Sequence, residues 1–221
     1  MNLVPVIAID GPSASGKGTV AHGVAEALGF HYLDSGALYR LTALAAGRRG
    51  LSWDDEVAVA GVAAALDARF DGETIVLDGA DVSSAIRSED IGVGASRVAA
   101  LPAVRAALLQ RQRGYARMPG LVADGRDMGS VVFPEAPLKV FLTASAAVRA
   151  ARRYQQLIGR GEAADLAAIT ADLETRDARD RARSVSPLAQ QADALLLDTD
   201  GLGIAEAVDQ VLAWWRVKAQ A

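Results

Sequence analysis

Residues 4–19 read VPVIAIDGPSASGKGT, and the order of residue types in this stretch decides the fold. Val4 to Asp10 is a short apolar run ended by Gly11-Pro12, the pattern of a strand buried on both faces of a parallel sheet. Gly11 to Thr19 then satisfies the glycine, four residues, Gly-Lys spacing of a phosphate-binding loop. In such a loop the backbone N–H groups and the start of the following helix point at an anion, and Lys17 reaches the outer phosphates as a point charge. Pro12, Ser13, Ala14, Ser15 and Gly16 make the body of the loop, and Gly18 and Thr19 lead into the helix. The usual Ser/Thr directly after the lysine is replaced by Gly18, with Thr19 one place later, which leaves direct coordination of Mg²⁺ by a loop hydroxyl open. The plain alternative is a glycine-rich strand-to-helix turn that binds nothing.

Reading outward, Val20, Val24, Ala27 and Leu28 recur at helical spacing from Lys17, and Gly29 marks the stop. Phe30 to Leu33 predicts a second strand ending in Asp34-Ser35, with Ser35 capping a helix that carries Leu38, Leu41, Thr42 and Ala45. Runs at Leu121 to Ala123, Val140 to Leu142 and Ala194 to Leu197 predict three more buried strands. Five strands alternating with helices specify an α/β doubly wound parallel sheet flanked by helices. Arg69 to Ile86 breaks the rhythm: Asp-Gly at 71–72 and 78–79 brackets strand-like TIVL and predicts a small antiparallel insertion. Pro102 starts a further helix running to Arg117, and Val208, Leu212, Trp214 and Trp215 mark a C-terminal packing helix.

The chain has 221 residues, 51% of them apolar and 23% charged, enough to bury a sizeable core. Its net charge of −4 argues against a protein that coats nucleic acid through a basic surface. Zero cysteines exclude disulfides, thiolate metal sites and a cysteine nucleophile, and are compatible with a reducing cytosol. Leu3 to Ile9 lacks the basic region and cleavage site of a signal peptide. The longest apolar run, Val57 to Leu66, is about half of the ~20 residues a membrane span needs, so no span is expected.

Two further clusters carry chemistry. Asp124 ends the apolar run Leu121-Val122-Ala123 and precedes Gly125-Arg126-Asp127, a position from which a carboxylate holds Mg²⁺ or its water; a solvated turn aspartate is the simpler reading. Residues 174–183, ETRDARDRAR, read either as a solvated helix laced by pairs such as Arg176 with Asp180 and Asp177 with Arg181, each worth about 0.2–0.5 kcal/mol, or as a stripe of Arg176, Arg179 and Arg183 around Asp180 facing a polyanion. His22 and His31 are isolated and read as structural. What remains is phosphoryl transfer, in which lysine, arginine and Mg²⁺ act by positioning and charge neutralisation.

At Asp34 to Arg40, DSGALYR, the sequence resembles the bacterial cytidylate kinase family. The matching pieces are GPSASGKGT, DSGALYR, the stretch around Ser96-Arg97 and Arg105, ADGRDMGSVVFP (123–134) and RDARDRAR (176–183). They extend almost to Pro187 and cover most of the chain. The resemblance implies one P-loop kinase domain over 1–221, with a monophosphate-binding insertion at about 67–92 and a lid at about 150–165. It implies ATP as donor with Mg²⁺, and CMP or dCMP as acceptor. Ser35 and Arg40 would sit at the monophosphate site, Ser96, Arg105 and Asp127 would read the cytosine edge, Arg126 and Arg183 would clamp the acceptor phosphate, and Arg176 with Asp180 would hold the sugar hydroxyls. Lys17, Arg126, Arg176 and Arg183 form the catalytic set.

Within the implied lid, Arg149, Arg152, Arg153 and Arg160 precede a Gly-rich hinge, with closure bringing arginines over the triphosphate and Arg153 singled out as the contact. A monomer in the cytoplasm, without nucleic acid or membrane partners, completes the expectation. Two rivals stay open: a kinase for a small alcohol using Asp34 and Arg40, and a nucleotide sensor without turnover. Ala14-Ser15 departs from the glycine and small residue usual in the loop, and both are compact.

Overall fold

The computed structural model describes residues 4–71 and 74–219. In chain order the elements are β1 (Val6–Asp10), α1 (Lys17–Leu28), β2 (His31–Asp34), α2 (Ser35–Arg48), α3 (Glu56–Ala64), β3 (Ala68–Asp71), β4 (Thr74–Leu77), β5 (Ala80–Asp81), α4 (Glu89–Val98) and α5 (Pro102–Arg113). They continue with β6 (Leu121–Gly125), a π-type turn at Met128–Val132, β7 (Leu138–Thr143), α6 (Ala146–Ile158), α7 (Leu166–Arg181), β8 (Leu195–Asp198) and α8 (Ile204–Lys218). The chain divides into two compact units, one formed by residues up to Leu33 with those from Tyr115 onward, the other by Asp34–Gly114.

The first unit holds a five-stranded parallel sheet in the order β2-β6-β1-β7-β8. β1 lies in the centre, with Ile7 opposite Val122 on one side and Leu138 on the other. All five of its residues are buried, as an apolar strand covered on both faces requires. Ile7, Ile9, Val20, Val24, Leu142, Val211 and Leu212 pack into one core that joins the sheet to α1 and α8. α1 keeps the expected bounds, and Gly29 ends it at φ 64, a left-handed conformation that a side chain would strain.

The second unit packs α2 against α4 and α3 against α5 beside a three-stranded antiparallel sheet, β3-β4-β5. Trp53 donates to the Ala43 carbonyl at 3.0 Å and lies so close to α4 that a Cβ on Gly94 would meet its ring at 2.6 Å.

Several boundaries differ from the sequence expectation. The cap of α2 is Asp34, whose carboxylate accepts from the Ala37 N–H at 3.0 Å, and Ser35 is the first helical residue. The charged oxygen one place earlier satisfies the free N–H, so the serine is not needed there. β1 starts at Val6 because Pro5 has no N–H to give a ladder, and α5 stops at Arg113, before Gly114. Leu3 and Gly72, used in reading the first strand and the first Asp-Gly turn, lie outside the described residues. Among the described residues no single helix is long and apolar enough to cross a membrane.

Candidate functional site

The loop between β1 and α1 begins against the sheet itself: a Cβ on Gly11 would come 2.0 Å from the Leu142 carbonyl oxygen in β7. Only glycine fits that approach. Ala14 and Gly16 then adopt positive φ, 58 and 92, turning the backbone so that successive N–H groups can face one concavity, the geometry of an anion nest. Lys17 Nζ lies 3.4 Å from the Pro12 carbonyl. The Ser15 hydroxyl is buried and has no hydrogen-bond partner among the described residues.

Ser13 is tied at three points. Its N–H donates to Asp177 at 3.2 Å, its carbonyl accepts from Arg149 at 3.0 Å, and its hydroxyl accepts from Arg126 Nη2 at 2.9 Å. Arg126, just past β6, also donates from Nε to Asp180 at 2.9 Å, and Arg183 pairs with the other oxygen of that carboxylate. Burial pushes Asp180 up, but the guanidinium charges of Arg126 and Arg183, with Arg176 behind them, hold it below the usual carboxylate range. The structure therefore joins Ser13, Arg126, Asp180 and Arg183 in one ionic chain. Arg176 lies along α7 with Nη1 3.5 Å from Asp172, and its buried Nε has no hydrogen-bond partner.

Asp124, the last residue but one of β6, is buried and takes a hydrogen bond from the Tyr32 hydroxyl at 2.7 Å. Its second oxygen faces Gly18, 3.9 Å from where a Cβ there would stand. A hard carboxylate oxygen beside the phosphate loop fits Mg²⁺ held through its water shell, whereas Thr19 is exposed on α1. Among the described residues no group of three His, Cys, Asp or Glu forms a metal cage. Asp10 ends β1 buried, accepting from the Met128 and Gly129 N–H groups at 2.8 Å each. Burial raises its pKa to about 6, with the Asp127 charge adding to the rise and the two N–H bonds and Arg126 opposing it. Asp127 itself is 3% exposed.

The remaining site candidates belong to the second unit. Ser35 is buried at the start of α2, and Ser96 is buried in α4. Arg40 donates to the Ile86 carbonyl at 2.9 Å. Arg105 is buried, donates to the Ala99 carbonyl at 3.1 Å, and lies 5.7 Å from the ring centre of Tyr39.

Three sequence readings change. Asp177, read as half of a solvated pair with Arg181, is 1% exposed and bonds to Arg149 at 2.5 Å. The signal was its place on the Leu173, Asp177, Asp180 stripe, the buried side of α7. Arg149 and Arg152, grouped with the lid arginines, instead hold loop carbonyls at Ser13 and Ser15. Arg153 donates to Gln156 at 2.5 Å, and burial, with the Arg160 and Arg176 charges, lowers its pKa. Tyr32, Tyr39 and Thr199 went unread, since nothing in local spacing marks a partner over 40 residues away. His31 lies 2.9 Å from the Met118 carbonyl, and His22 packs edge-on against Tyr32.

Residues 7–216 match the family model described as cytidylate kinase. The chain is 65% identical to a cytidylate kinase of Chromobacterium violaceum over 97% of each chain. It is 60% identical to those of Bordetella bronchiseptica, over 96% of this chain and 95% of the other, and of Neisseria gonorrhoeae, over 98% and 99%.

Proposed function

The chain belongs to the cytidylate kinase family, and on that premise we propose how its own residues divide the transfer of the γ-phosphoryl group of ATP to CMP or dCMP. The loop from Gly11 to Thr19 holds the donor phosphates through its N–H groups, with Lys17 at the outer ones. Arg126 and Arg183 clamp the acceptor phosphate, Arg176 and Asp180 take the sugar hydroxyls, and Ser35 and Arg40 bind on the monophosphate side. Ser96, Arg105 and Asp127 read the base. Cytosine offers an amine where Asp127 needs a donor; uracil offers a carbonyl there, and an unmatched buried carboxylate costs on the order of 1–3 kcal/mol. The acceptor is a phosphate oxygen already ionised at neutral pH, so no general base is required.

One observation carries this assignment. A single guanidinium, that of Arg126, bonds both to Ser13 of the donor loop and to Asp180 of the arginine cluster. Attack of one polyanion on another is opposed chiefly by charge, and a cation shared between the donor loop and the cluster lowers that barrier where the two meet. Mg²⁺ bound with ATP supplies further neutralisation, and Asp124 is the residue that would hold it, through water. Arg153 remains the proposed lid contact to ATP. The proposal is completed by one kinase domain formed from the whole chain, with its monophosphate-binding insertion and lid, acting as a cytoplasmic monomer on free nucleotides; the absence of cysteine and the net charge of −4 agree with it.

The test is ADP release from MgATP with CMP, dCMP, UMP, AMP and GMP, beside Lys17→Ala. Turnover confined to the cytidine nucleotides and reduced on the order of 10²–10³-fold in the variant is expected. Preference for UMP or AMP would overturn the roles of Ser96, Arg105 and Asp127, and full activity of the variant would overturn that of the loop.

A further inference from the structure

Arg149 and Arg152 are three residues apart on α6 and so share one face. Arg149 Nη1 donates to the Ser13 carbonyl and Arg152 Nη1 to the Ser15 carbonyl, each at 3.0 Å. Alternate carbonyls of the phosphate loop are thus gripped from one turn of one helix. Both peptide units are trans, and in a planar trans peptide the carbonyl and the next N–H point in opposite directions. Holding the oxygen of Ser13 therefore aims the N–H of Ala14 the other way, and holding that of Ser15 does the same for Gly16. Ala14 and Gly16 are the two loop residues with positive φ, a conformation that an alanine does not hold unaided.

Both arginines are themselves anchored. Arg149 bonds to Asp177 at 2.5 Å and to the Ala144 carbonyl at 3.0 Å, while the second oxygen of Asp177 takes the Ser13 N–H at 3.2 Å, so the pair fixes both backbone groups of Ser13. Arg152 reaches the Thr199 hydroxyl at 3.0 Å and its carbonyl at 2.6 Å, next to the end of β8.

We propose that Arg149, Arg152 and Asp177 are positioning residues for the donor triphosphate, acting by turning the Ala14 and Gly16 N–H groups toward its oxygens instead of closing over it. The inference rests on the phosphate-loop reading of residues 11–19. Its three residues touch the loop backbone, and none needs to touch ATP.

Arg152 is the variant of choice, because removing one partner of the buried Arg149–Asp177 pair would threaten folding itself. Three quantities are measured in wild type, Arg152→Ala, Arg152→Lys and Arg149→Lys: the KM for MgATP, the KM for CMP, and the ATP-induced shifts of the Ala14 and Gly16 amide protons by NMR. In the wild type both amides move on adding ATP. Arg152→Ala is expected to raise the KM for MgATP about tenfold or more, the worth of one charge-assisted hydrogen bond, to leave that for CMP within about twofold, and to shrink the Gly16 shift while sparing Ala14. Arg152→Lys restores part of the loss, and Arg149→Lys shrinks the Ala14 shift. An unchanged MgATP KM with an unchanged Gly16 shift, with or without a lower melting temperature, overturns the proposal. If the wild type neither shifts these amides with ATP nor phosphorylates CMP, it is the phosphate-loop reading that has failed.

Discussion

The two units treat their arginines differently. In the unit that carries the phosphate loop, guanidiniums meet carboxylates across long stretches of chain: Arg126 with Asp180, Arg149 with Asp177. In the unit from Asp34 to Gly114, Arg40, Arg105 and Arg111 donate to the carbonyls of Ile86, Ala99, Leu66 and Ala68, and the Arg97–Asp54 pair lies at the surface. A guanidinium on a carbonyl meets a neutral dipole, whereas one on a carboxylate meets a full charge and forms the stronger hydrogen bond. The first arrangement ties the loop and β6 to α6 and α7 through charge; the second ties helices and turns together through backbone acceptors.

The harshest way to break the contrast is Arg126→Ala, which cuts the ionic chain between Ser13 and Asp180. Turnover should fall on the order of 10²-fold or more, with Asp180 losing one of the three guanidinium charges that lower its pKa. A steady-state assay showing near-normal kcat would end the role given to Arg126.

A smaller effect is expected at Asp10. Its folded pKa of about 6 lies above the ordinary value of 3.8, so the folded state binds the proton more tightly than the unfolded one. The stability this group contributes is fully present below about pH 4 and is lost as pH rises through about 6, by on the order of 3 kcal/mol at most. Urea denaturation of wild type and Asp10→Asn between pH 4 and 7.5 should show the wild type losing ground to the variant as pH rises. Parallel curves would place the ionisation elsewhere.

The mildest change is Arg97→Ala in the second unit. Its pairing with Asp54 is solvent-exposed and its guanidinium lies 5.7 Å from the Trp53 ring centre, so the loss should stay under about 1 kcal/mol. A urea midpoint shifted by much more would mean that the second unit also depends on charge pairs, and the contrast between the units would fall.

What the sequence made legible follows the range of the forces involved. The bounds of α1 and the stop at Gly29 are local patterns that apolar periodicity with a glycine after it suffices to place; the three later strands were legible as apolar runs, but β8, expected to be buried, lies at the sheet edge with Leu195 and Leu196 exposed. Lys17 and its loop were legible because the phosphate motif is itself local. The cap of α2 was misread by one residue because aspartate and serine serve equally well, and only the backbone angle at Asp34 decides between them. Asp177 and Arg149 were misread for a different reason. The spacing of Leu173, Asp177 and Asp180 marks the buried side of α7, but the partner of Asp177 on the loop stands 164 residues away, and burial of a carboxylate makes sense only once that partner is known.

The helix that opens at Lys17 is finished by the far end of the chain. A Cβ on Gly23 would come within 2.9 Å of Val208, and Val20 and Val24 share their core with Val211 and Leu212 of α8. During synthesis α1 therefore leaves the ribosome almost two hundred residues before its covering layer, with Val20 and Val24 uncovered on that side in the meantime. Contacts of such sequence separation close late, so a nascent chain stalled before residue 204 holds the motif on a helix whose Val20 and Val24 still lack the Val211 and Leu212 they pack with.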